Sequence, residues 1–160
     1  MASFEKLLNN VITANYPLYS NLNYTPIFMK FNSKEIQIDN DEFGYTLTFS
    51  EDENDYESKM NKSAKELMHS TQKYILLQRT YPEDDFEKDY YYFEPSDFDK
   101  ACELKDFVIN LYRTSFELTL NGDFYQVEFK VDGHKFEQIK QSLEKITNGT
   151  GTLTIHNVAD

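Results

Sequence analysis

The segment from Phe116 to Val131 constrains this chain more than any other. Phe116, Leu118 and Leu120 alternate with Glu117 and Thr119. Tyr125, Val127, Phe129 and Val131 alternate with Gln126, Glu128 and Lys130. Between the runs stands Asn121-Gly122, the pair favoured where both central residues of a type I′ turn need positive φ. A two-residue turn sets Leu118 opposite Tyr125 and Phe116 opposite Val127, so both apolar sets share one face of the ribbon. A chain with this hairpin must build a sheet and cover one side of it.

Several segments are available for that task. Phe4, Leu7, Leu8, Val11 and Ile12 keep helical spacing, with Ser3 as cap and Pro17 as stop. Ile27 to Phe31, Glu35 to Ile38 and Tyr45 to Ser50 read as short strands, with turns at Asn32-Ser33 and Asp39 to Gly44. Ser63 and Glu66 fit a capping box, which predicts a helix from Ala64 to Arg79. The rival is a shorter helix followed by a strand over Tyr74 to Tyr81, and periodicity does not choose between them. Lys88 to Glu94 is an aromatic strand. Ser96, with Asp97 and Asp99 behind it, opens a helix to about Tyr112, with Phe98, Ala101, Cys102, Val108 and Leu111 near one face. Phe136, Ile139, Leu143 and Ile146 form a last helical stripe, closed by Asn148-Gly149, and Thr152 to Ile155 is a final strand. The expected fold is α+β: a single domain over residues 1–160, with a mostly antiparallel sheet and helices packed mainly on one face.

A chain of 160 residues can bury a real core. Aromatics make up 16% of it and all hydrophobics 39%, so Tyr and Phe must do much of the packing. A net charge of −12 argues against a surface for DNA, RNA or anionic lipid, which need clustered Lys and Arg. Cys102 is alone, so no internal disulfide forms and a reducing, cytoplasmic setting is expected. The start lacks the basic and apolar regions of a signal peptide. No apolar run approaches the roughly 20 residues that span a bilayer.

The chemistry-bearing feature is the acidic and aromatic stretch from Pro82 to Glu103. Glu83, Asp84, Asp85, Glu87 and Asp89 precede Tyr90, Tyr91 and Tyr92. The plain account is a solvated loop, then a strand whose rings reach the core. The functional account is a docking surface whose carboxylates steer a basic protein and whose tyrosines supply rigid contact area. In a strand Tyr90 and Tyr92 point one way and Tyr91 and Phe93 the other, so at least one pair should show its rings. A second acidic cluster holds Glu51, Asp52, Glu53, Asp55 and Glu57, with Asp39, Asp41 and Glu42 upstream.

Sharper chemistries find less support. Asp39, Asp41 and Gly44 resemble part of a calcium loop, but Phe43 stands where an oxygen ligand belongs and Ser50 where a bidentate Glu belongs. His69, His134 and His156 lack the spacing of a zinc site, and His69-Ser70-Thr71 has no second copy of the kind two-copy phosphoesterases use. Cys102 sits beside Glu103 and Asp99, an acidic setting that suits a buried helix thiol better than a nucleophile. No cofactor or metal is expected. The expected function is a non-enzymatic acidic protein that neutralises a basic partner. Immunity-type or phage-type inhibitors of toxins, nucleases or nucleic-acid-binding enzymes act in this way, with carboxylates imitating phosphate. The Asn-, Lys-, Ile- and Tyr-rich usage suits an AT-rich bacterial or phage genome. The alternatives are an acidic secretion-type chaperone, and a small enzyme or ligand sensor without a recognisable motif.

Overall fold

The computed structural model describes residues 25–52 and 72–156. The helix expected around Phe4 to Ile12, the start of the one expected from Ala64, and the acids Glu53 and Asp55 lie outside the described residues. In chain order the elements are β1 (Phe28–Asn32), β2 (Glu35–Asn40), β3 (Gly44–Ser50), β4 (Tyr74–Thr80) and β5 (Tyr90–Pro95). A single 3-10 turn at Phe98–Lys100 follows, then β6 (Cys102–Glu103), β7 (Val108–Tyr112), β8 (Ser115–Leu120) and β9 (Asp123–Glu128). Helix α1 (Gly133–Ile146) and β10 (Thr152–Ile155) complete the order.

Among the described residues two five-stranded sheets form, one ordered β1-β9-β8-β7-β10 and the other β2-β3-β4-β5-β6. The expected hairpin is the centre of the first. Asn121 and Gly122 both have positive φ, 52° and 85°. Leu118 pairs with Tyr125 and Phe116 with Val127. β1 and β10 then join parallel to β9 and β7 at the two edges. In the second sheet every pairing is antiparallel.

The two sheets meet face to face through rings. Phe49 of β3 stacks on Phe116 of β8 at 5.1 Å and on Phe129 at 5.8 Å, and Phe93 of β5 meets Tyr125 of β9 edge-on at 4.8 Å. Leu47, Ile75, Leu77, Ile109, Leu111, Leu118 and Val127 fill the space between, all fully buried. Burying a side chain of this kind contributes about 1.5–3 kcal/mol each. Helix α1 packs against β2, β3 and β4 and touches β10, burying Ile139, Leu143 and Ile146. Asp132 caps it by accepting a hydrogen bond from the Lys135 amide at 2.7 Å.

This corrects the expected architecture. The cover of the hairpin face is a second sheet rather than a layer of helices, and α1 is the one α-helix among the described residues. Two segments account for the difference. Phe107, Ile109 and Leu111 are buried while Val108 is exposed, a period of two, so β7 stands where a helix was expected. Phe98, expected on the helix's apolar face, is 68% exposed. Asp106 adopts φ 50°, which no continuous α-helix passes through. The Asp97 side chain caps nothing, so Asp97 and Asp99 lack the helix-end role foreseen for them. Cys102 lies half-buried in the short strand β6, not on a helix, and its thiol is pushed up by burial and by Asp123. Tyr74 to Thr80 is a strand, the rival reading, because Ile75 and Leu77 sit in the centre of the second sheet.

Gly44 opens β3 at φ 156°, where an added Cβ would lie 2.1 Å from the Arg79 carbonyl oxygen. Gly44→Ala should destabilise the fold by about 1–3 kcal/mol, read by urea unfolding. Gly133→Ala, at the start of α1 with nothing within 4 Å of its added Cβ, should show no such loss.

A candidate interaction surface at one end of the second sheet

Antiparallel pairing of β3 with β4 and of β4 with β5 carries the β2–β3 turn and the β4–β5 loop to the same end of the sheet. The Tyr81 amide donates to the Phe43 carbonyl at 2.8 Å and ties the two connections together. Each connection contains an Asp-x-Phe tripeptide in the same local geometry. Asp41 Oδ1 accepts from the amides of Phe43 (2.8 Å) and Gly44 (3.1 Å). Asp84 Oδ1 accepts from the amides of Phe86 (2.8 Å) and Glu87 (3.1 Å). Aspartate does this because its short carboxylate reaches backbone donors two and three residues ahead. The aromatic side chains consequently point away from the core: Phe43 is 61% exposed and Phe86 97%.

The acids singled out from sequence divide into two kinds. Among the described residues, the carboxylates of Glu83 and Asp85, and of Glu42 in the neighbouring turn, make no hydrogen bond or ion pair and face solvent. Asp84 is committed to its turn, and Glu87 accepts from the Glu83 amide at 3.1 Å. Asp89 is committed more deeply. It pairs with Arg79 through both Nε (3.0 Å) and Nη2, in a half-buried position. Arg79 also donates to the Lys145 carbonyl at 2.7 Å and lies over the rings of Tyr81 and Tyr91. Asp89 therefore neutralises an internal cation instead of displaying charge.

The tyrosines split as strand alternation requires. Tyr91 shares the inner face with Phe93, and its hydroxyl donates to the Asn148 carbonyl at 2.8 Å. Burial pushes its pKa up. Tyr90 and Tyr92 share the outer face, with ring centroids 6.3 Å apart, and Tyr90 is 48% exposed beside the loop end. Tyr92 donates to Glu94 Oε2 at 2.9 Å and Tyr74 to Glu94 Oε1 at 2.7 Å, so this carboxylate is clamped on the outer face. Burial, then the Glu94 carboxylate, push the Tyr74 pKa up to about 12.

Glu51 and Asp52 do not join this surface. They follow β3 at the opposite end of the sheet, where the Glu51 carboxylate accepts from the Lys73 amide at 3.3 Å. The seven residues of β4 separate the two ends by about 20 Å. Asp41 and Glu42, grouped by sequence with Glu51, belong with Glu83 and Asp85 instead. In the sequence Phe43 stands out only as a flaw in a calcium loop. The signal that would have found it is the repeat itself, Asp41-Glu42-Phe43 and Asp84-Asp85-Phe86.

Elsewhere the outer face of the first sheet carries Tyr112 stacked on His156 at 4.3 Å, with His156 Nε2 3.0 Å from Asn110 Oδ1. Burial pushes the neighbouring Glu117 carboxyl up, against the opposing pull of His156 and the Tyr112 hydroxyl. Among the described residues no group of three or more His, Cys, Asp or Glu side chains is placed to hold a metal ion, and no helix is long and apolar enough to cross a membrane. No family model matches the chain, and neither a curated protein nor a solved structure does.

Two measurements check this assignment of roles. Asp89→Asn should destabilise the fold by about 1.5–3 kcal/mol in urea, because a half-buried guanidinium loses its charged acceptor. Asp85→Asn should stay within about 0.5 kcal/mol. For Tyr74 the folded pKa lies above the ordinary value of 10. Its contribution to stability is therefore complete below pH 10 and lost as pH rises through about 12. A phenolate absorbance titration should show a late-titrating tyrosine, which Glu94→Gln moves back toward 10.

Proposed function

We propose that this protein is a non-enzymatic acidic binding protein that neutralises a basic protein partner. Its mode is that of an immunity-type or phage-type inhibitor, and its setting the cytoplasm. The observation that supports the reading is the convergence of Glu42, Glu83 and Asp85, all exposed, on one end of the second sheet. Carboxylates held this way raise the encounter rate with a cationic surface and suppress association with anionic ones. They can occupy positions where a nucleic-acid-handling partner would otherwise hold phosphates. The net charge of −12 extends the same field beyond the loops.

The test is capture of partners from native lysate by the full chain, followed by affinity measurement across salt concentration. Exposed ion pairs contribute about 0.2–1 kcal/mol each. The triple substitution Glu42→Gln, Glu83→Gln, Asp85→Asn should therefore weaken binding about tenfold and flatten its salt dependence. These three positions are the informative ones, since Asp84 and Glu87 bond their own loop backbone and Asp89 pairs with Arg79, so their removal would confound charge with structure. Salt-insensitive binding, unchanged by the triple substitution, would overturn the proposal.

A further inference from the structure

The proposed function concerns charge. The same end of the sheet carries a second property that charge does not explain. Phe86 is almost wholly exposed and Phe43 mostly so, on neighbouring connections joined by the Tyr81–Phe43 backbone hydrogen bond. Isolated exposed hydrophobics are ordinary, but here two phenylalanines are exposed on adjacent connections at one end of the same sheet. Both backbones are held in place by their own aspartates, so little conformational freedom is left to lose when the rings are engaged. Exposed Tyr90, opposite Thr80 at the start of β5, lies at the same end of the sheet.

Resting on the reading of the protein as an acidic binder, we infer that Phe43 and Phe86 are twin anchors. They enter apolar depressions on the partner, while Glu42, Glu83 and Asp85 meet a rim of Lys and Arg around them. The occupant is a basic protein surface with apolar pockets. A second copy of this chain would set like charge against like. Charge complementarity therefore selects a cationic protein, and the rings select one with apolar recesses between its charges. This is the arrangement in which aromatic anchors at the centre carry affinity and surrounding charges set rate and orientation.

The proposal is tested with two synthetic peptides of equal positive charge, one alternating Lys with Leu and the other Lys with Ser, titrated into the full chain by calorimetry. The Lys-Leu peptide should bind about tenfold more tightly. Phe43→Ser with Phe86→Ser should erase that difference, with the circular dichroism melt unchanged because neither ring is in the core. Glu42→Gln with Asp85→Asn should weaken both peptides alike. Equal affinity for the two peptides, or a preference that survives loss of both rings, would overturn the anchors. If salt and the charge substitutions still reduced binding, the acidic-binder reading would stand without them. Failure of both peptides to bind would overturn both.

Discussion

Phe49 holds the two sheets together. Its ring lies against Phe116 of the first sheet and against Phe129 just beyond β9, while Phe93 closes on Tyr125 alongside it. Phe49, Phe93, Phe116 and Tyr125 each sit at an inward position of a strand whose alternation is set by its neighbours' register. A slip of one residue in β3 would carry Leu47 and Phe49 to the solvent side and bring Thr46 and Thr48 inward. The stacking thus depends on register, and register in turn is specified by the need to bury these rings. Aliphatic residues fill the gaps, as expected in a chain relying on Tyr and Phe for bulk.

Once the second sheet is oriented by that contact, its connections follow. A run of antiparallel neighbours puts alternate loops at alternate ends. The β2–β3 turn and β4–β5 loop must meet, although their aspartates lie more than forty positions apart in sequence. The same rule sends Glu51 and Asp52 to the far end. Arg79 links this layout to α1. It spans from Asp89 to the last turn of the helix, and Tyr91 makes a parallel link to Asn148. The end of the sheet bearing the exposed rings is therefore braced from behind by the helix terminus.

Legibility followed the range of the determining interaction. The β8–β9 hairpin was readable to the residue pair because turn chemistry and alternation are both local and agree. The stripe of α1 and the strand β10 were readable for the same reason. Phe98 to Tyr112 was misread because a few apolar residues, widely spaced, satisfy a helical period by coincidence. The stronger alternation of Phe107, Ile109 and Leu111 occupies only five positions. The acidic stretch was visible as composition, but composition does not distinguish a displayed carboxylate from one bonded to its own backbone or to a half-buried cation. Asp84, Glu87 and Asp89 look alike in sequence to Glu83 and Asp85.

Sequence by itself determined the acidity, the aromatic content, the hairpin register and the opposition of Tyr90 and Tyr92 to Tyr91 and Phe93, since each arises from neighbours in the chain; which pair faces outward was left to the fold. Only tertiary structure decided that a second sheet covers the first. It also decided that Asp89 is consumed by Arg79, and that Phe43 joins Phe86 while Glu51 does not. Those outcomes depend on pairings between distant segments, and a strand's partners are selected by the burial that the completed fold makes available.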